Sequence, residues 1–229
     1  MKLLFESWRG YLLEEESTFD IGAHLSSEEL EKIKDWAGLP GDIEHIGTGT
    51  MGSAYLIGDK VLKLTKDFSE ATTAAAIIGL GHPNIYDVYA VGSRPGVTVK
   101  TGLPWVIITE YLLPPTREMR FAAKEIYNDI RSGSKISQRF YNWSGFDALS
   151  PDEQKILSSL ISFVPPMLDR EKVREHVSEI ATALTALARK GIRFNDVKPS
   201  NIVSKGGQAA IIDLGRAAIQ KSVEIPEIK

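Results

Sequence analysis

Asn195-Asp196-Val197-Lys198-Pro199-Ser200-Asn201, followed by Ile202-Val203 and, twelve residues after Asn201, by Asp213-Leu214-Gly215, is the most informative stretch of this 229-residue chain. Two short strands are expected around it, at 201–204 and 209–213, on either side of a Gly206-Gly207 turn. Upstream, a long helix over 170–190 closes at Gly191-Ile192. Ordinary turn residues would produce D-x-K-P-x-N and a downstream D-L-G across two apolar strands only by a coincidence of several independent choices. Asp213 also has the chemistry of a ligand for a hard cation, which prefers carboxylate oxygen.

Working back toward the N-terminus, Gly47-Thr48-Gly49-Thr50-Met51-Gly52 is a G-x-G-x-x-G string, which lets backbone amides approach a phosphate chain. Dinucleotide-binding α/β proteins use the same spacing between a strand and a helix, with an acidic residue about 20 positions on. Here β segments at 44–48 and 53–57 lie on both sides, and a third, 60–65, follows the Gly58-Asp59 turn, so the pattern is a meander. A glycine turn without a ligand is the alternative. Eleven residues after Gly52, Lys63 interrupts the apolar run Val61-Leu62-Lys63-Leu64. Lysine in such a strand commonly snorkels to solvent. Glu70 is the one acidic residue of the helix expected over 69–80, and a carboxylate there is also what the helix dipole alone would favour.

Composition bounds the possibilities. The chain is 43% hydrophobic and 25% charged, ordinary for one globular unit or two small lobes sharing a core. It has no cysteine, which excludes thiolate metal sites, thiol catalysis and disulfides. A net charge of −3 gives no footprint for nucleic acid, and no apolar run reaches the roughly 18 residues of a membrane span, so neither partner is expected. In residues 1–16, Leu3, Leu4, Phe5, Trp8, Tyr11, Leu12 and Leu13 share one helical face ahead of three glutamates. Residues 17–42 read as a linker and a short helix capped by Ser26 and Ser27 and running to about Trp36. Further strands are expected at 85–91 and 105–110, and helices at 116–131 and 151–162.

These parts, in this order over residues 43–218, resemble a small protein-kinase-like protein of the Ser/Thr type. The resemblance implies an α+β, two-lobed fold with an N-terminal helical extension. Residues 43–113 would form the antiparallel β-sheet N-lobe, and residues 114–229 a reduced, mostly helical C-lobe with the catalytic and metal-binding loops. It implies that Gly47, Gly49 and Gly52 cover the phosphates of ATP, that Lys63 neutralises them while Glu70 orients it, and that Glu110 and Leu112 offer backbone groups to adenine. Asp196 would accept the proton of the substrate hydroxyl, Lys198 would stabilise the transferred phosphoryl group, and Asn201 and Asp213 would hold Mg2+. His82-Pro83-Asn84-Ile85 is similar to the turn after the kinase regulatory helix.

The match departs from the family in four places. H-R-D reads Phe194-Asn195-Asp196, so control through an activation-loop phosphate is not expected. D-F-G reads Asp213-Leu214-Gly215. Only 14 residues follow Gly215, without an A-P-E sequence, so a different substrate platform is expected. Common family spacing would put the helical glutamate near Thr73 rather than Glu70. The implied activity is transfer of the ATP γ-phosphoryl group to a Ser/Thr hydroxyl of a protein, with Lys198 favouring a protein over a small-molecule acceptor. The alternatives are a nucleotide-binding pseudokinase acting as an interaction module, or a small-molecule kinase. Residues 1–16 resemble helical tags of tailed-phage proteins, and Leu12-Leu13-Glu14 a prohead-protease site. The partner implied is a prohead component, and the location a bacterial host's cytoplasm or the virion. A terminal helix docked on the kinase body is the other reading.

Overall fold

The computed structural model describes residues 25–49, 51–132, 164–220 and 223–228. The helices expected over 1–16 and 151–162 lie outside them. The chain divides into two compact units. Of the described residues, the first takes those up to Leu80, Asp87–Tyr111 and 223–228; the second takes Gly81–Tyr86 and 112–220.

In the first unit β1 (Ile43–Gly49), β2 (Gly52–Ile57), β3 (Lys60–Thr65), β4 (Val88–Ser93) and β5 (Trp105–Glu110) form an antiparallel sheet in the order β1-β2-β3-β5-β4. Because side chains alternate along a strand, the register separates two faces. Tyr55, Ile57, Leu62, Leu64, Val106 and Ile108 turn one way into a core that α1 (Ser27–Ala37) closes with Leu30, Ile33 and Trp36. Helix α1 begins with a capping box between Ser26 and Glu29 and ends at Gly38, whose φ of 63° suits glycine. Lys63, opposite Ala54 and Ile107, turns to the other face. There it meets α2 (Phe68–Ala76), capped by Asp67. Residues 226–228 cover the edge of β4: Ser93 N–H donates to the Pro226 carbonyl and Ile228 N–H to the Ser93 carbonyl, both at 2.8 Å. Gly92 leaves room for this, since a Cβ there would lie within 2.9 Å of the Ile228 and Trp36 side chains.

The second unit packs α3 (Arg117–Ser132) against α4 (Arg170–Arg189). Met119, Ala122, Ala123, Ile126 and Ile130 recur at helical spacing and are buried, as are Val173, Val177, Ile180, Ala181, Leu184 and Leu187. The hairpin of β7 (Ile202–Lys205) and β8 (Gln208–Ile211) turns at Gly206-Gly207, both with positive φ, as a two-residue hairpin of this kind requires. β6 (Ile192–Arg193) pairs with β9 (Ala218–Ile219).

The architecture is thus α+β, with an antiparallel sheet in one unit and mostly helix in the other. Three details differ from the sequence-based expectation. β4 begins at Val88 rather than Ile85, because Ile85 forms a parallel bridge with Ile211 and stays with the second unit. Helix α2 stops at Ala76, before Gly79 and Gly81 take left-handed backbone at φ 70° and 60°. Residues 25–42 and 223–228 belong to the core and edge of the first unit. Among the described residues no helix is long and apolar enough to cross a membrane.

Candidate active site

The second unit gathers Asp196, Lys198 and Asn201. Phe194 and Val197 are buried and anchor a loop that leaves Asp196 partly accessible between them. A 3-10 turn over Pro199–Asn201 buries Asn201, 2% exposed. Its Nδ2 donates to the Asp196 carbonyl at 2.8 Å and to Asp196 Oδ2 at 3.3 Å. One amide therefore holds both the backbone and the carboxylate of Asp196. Among the described residues its own oxygen, Oδ1, accepts only a long bond from Ser200 Oγ at 3.4 Å. Lys198 Nζ lies 3.7 Å from Asp196 Oδ2 on a side chain 40% exposed, close enough to balance charge but not locked in place.

Asp213 reaches the same loop through the backbone, because Ile212 N–H donates to the Asn201 carbonyl at 2.9 Å. Its φ of 54° is the only positive value of a non-glycine residue among those described. Aspartate tolerates left-handed backbone better than most side chains, and strain of this kind concentrates where a side chain must be aimed. A carboxylate and an amide oxygen make a donor set that fits magnesium, which takes one or two protein oxygens and completes its shell with water and phosphate. Among the described residues no group of three His, Cys, Asp or Glu side chains gathers as a self-sufficient metal cage.

The first unit holds the remaining candidates. Lys63 Nζ donates to Glu70 Oε1, and the Glu70 side chain is 5% exposed against 29% for Lys63. The spacing that pointed to Thr73 does not decide the partner: Thr73 is fully buried and its hydroxyl donates to the Ser69 carbonyl at 2.7 Å. Gly47 and Gly49 lie in β1 after a bulge at Ile46, and Gly49 faces Gly52 across the hairpin. Gly52 answers to a close approach: a Cβ would sit 1.9 Å from the Leu64 carbonyl oxygen. Glu110 receives the Asp87 N–H on Oε1 at 2.7 Å and donates its own N–H to the Asp87 carbonyl at 3.1 Å. Leu112, in the second unit, is buried, and its N–H finds no acceptor among the described residues.

One feature escaped sequence reasoning. Ile46, Ala54 and Val61 form a small buried apolar cluster with Leu56 and Tyr111. Ala54, Leu56 and Val61 share the Lys63 face, so the patch lies on the side of the sheet that carries the ammonium. Strict alternation from Ile43, which packs in the opposite core, already puts Ile46 on this face, and the bulge then sets Gly47 opposite Ala54. The cluster escaped notice because its members are scattered along the chain from Ile46 to Tyr111.

The chain matches no protein-family model and no curated protein. Among solved structures it is similar to the GDP complex of wild-type aminoglycoside 2'-phosphotransferase-IIIa, at 16% identity over 85% of this chain and 74% of that one, with a TM-score of 0.40. It is likewise similar to the GDP complex of a point mutant of that enzyme, at 15% identity over 84% and 72%, with a TM-score of 0.41.

Proposed function

We propose that this chain is a kinase-like phosphotransferase that moves the γ-phosphoryl group of ATP to a hydroxyl, with a Ser/Thr side chain of a protein as the acceptor. The observation that carries this reading is the bonding of Asn201 to both the carbonyl and the carboxylate of Asp196, with Lys198 at 3.7 Å. Asp196, so held, accepts the proton of the attacking hydroxyl. Lys198, half-free in solvent, follows the phosphoryl group as its charge moves. Asp213 and the Asn201 Oδ1 would hold magnesium, which when bound would supply positive charge against the phosphates. Within the first unit, Lys63, set by Glu70, is suited to phosphate charge, and the Ile46, Ala54 and Val61 patch on the same face of the sheet is suited to an apolar base.

Phosphate transfer from labelled ATP, assayed with magnesium on a panel of protein and small hydroxyl acceptors, tests this. Asp196→Ala and Asp213→Asn should each reduce incorporation by about 100-fold or more. Equal incorporation in all three proteins would remove the chemistry from this centre. Thermal stabilisation by ATP with no turnover on any acceptor would instead support a nucleotide-binding pseudokinase.

A further inference from the structure

β7 and β8 pair in a register that sets Ser204 opposite Ala209 and Ile202 opposite Ile211. In such a ladder alternate residues turn their backbone groups away from the partner strand. Those of Ala209 and Ile211 point outward, and every one is paired. Ala209 N–H donates to Glu179 Oε2 at 2.8 Å, and the Ala209 carbonyl accepts from Asn84 Nδ2 at 3.1 Å. Ile211 N–H donates to the Asn84 carbonyl at 2.9 Å, and the Ile211 carbonyl accepts the Tyr86 N–H at 3.1 Å. A buried strand edge demands this completeness.

Two of these partners are buried polar side chains that the proposed reaction leaves unused. Glu179 stands on the buried face of α4, and His176 Nδ1 lies 2.8 Å from the same Oε2. A carboxylate is costly to bury, and an apolar residue would serve the packing of α4 better. What Glu179 adds is a fixed point for the start of β8. Four residues further on stands Asp213, and the hairpin begins directly after Asn201. Moving Ala209 would therefore move both proposed metal ligands.

We propose that Glu179, held by His176 and assisted by Asn84, is a positioning residue for Asn201 and Asp213, acting through Ala209 and β8. This rests on the phosphotransferase reading above. The partners of metal ligands matter because a ligand that can wander binds more weakly; their removal commonly lowers metal affinity or activity by about 10- to 100-fold.

The test is calorimetric magnesium binding to the full chain saturated with a non-hydrolysable ATP analogue, with thermal unfolding and the magnesium dependence of turnover measured beside it. Glu179→Leu and Asn84→Ala should weaken magnesium binding by about 10-fold or more. Glu179→Gln keeps an oxygen for the Ala209 N–H and should stay within about threefold of the wild type. Lowered melting temperatures with unchanged magnesium affinity in both Glu179→Leu and Asn84→Ala would overturn the proposal, because a packing role alone predicts that result. If Glu179→Leu does not fold, an unchanged affinity in Asn84→Ala overturns it alone. Asp213→Asn is the reference: wild-type affinity in that variant defeats the phosphotransferase reading itself, whereas its loss beside unaffected Glu179 and Asn84 variants defeats only the positioning role.

Discussion

Glu70 is nearly enclosed, and the ammonium of Lys63 is what makes that carboxylate tolerable in the first unit. Lys63→Met should lower stability by about 1–3 kcal/mol, read from denaturant unfolding, because it leaves a buried carboxylate without its cation. Lys63→Met combined with Glu70→Gln should recover most of that loss while phosphotransfer stays absent, which separates the structural from the catalytic use of the pair. His82 offers a second case of one group setting a physical property. Burial, and secondly the Lys205 ammonium, hold its imidazole below the ordinary histidine value. Its Nδ1 accepts the Asn84 N–H at 3.1 Å, a bond only the unprotonated nitrogen can accept. With the folded value depressed, this contribution is present above the unfolded value of about 6.5 and is lost as pH falls through the folded one. Melting temperatures of the wild type and His82→Gln, compared between about pH 7.5 and pH 5, should show the larger acid-induced drop in the wild type.

At the scale of elements, β2 and β3 approach so closely at Gly52 that no side chain fits. Gly52→Ala should cost about 3 kcal/mol or more, visible as a lowered melting temperature without ligand. A melting temperature equal to the wild type's, with nucleotide binding weakened, would restore to Gly52 a purely phosphate-facing role. β3 and β5 were readable residue for residue, since unbroken apolar runs between turn signals leave little freedom in where a strand lies. β4 and the end of α2 were displaced by three or four residues. There Ile85 is recruited by a contact outside its expected element, taking as its partner Ile211, a residue far along the chain, and α2 stops ahead of the left-handed backbone at Gly79 and Gly81.

For the molecule as a whole, the described chain passes between the two units at Leu80, Tyr86 and Tyr111 and again before residue 223. The first unit is therefore assembled from three separate stretches of sequence. Ile228, 7% exposed, packs in the same core as Leu25 and Ile33. Ile228→Ala should destabilise the first unit by about 2 kcal/mol or more, read as faster hydrogen exchange at the amides of β4 and β5, with those of α3 and α4 changed least. Uniform acceleration in both units would mean that the molecule opens only as one body.

The sequence by itself determined the order of the elements and singled out Lys63, Asp196, Lys198, Asn201 and Asp213 as candidates, because hydrophobic period, glycine turns and fixed short spacings are local properties of a chain. Tertiary structure alone decided that Gly52 answers to the Leu64 carbonyl, that Asn201 grips Asp196 through its backbone carbonyl and Oδ2, and that Glu179 closes the edge of β8, while it brought Glu70, the glutamate expected from the sequence, to Lys63. The Asn201 and Glu179 contacts depend on which buried polar group finds which partner, and the Gly52 contact on how closely two strands approach; both are settled only in three dimensions.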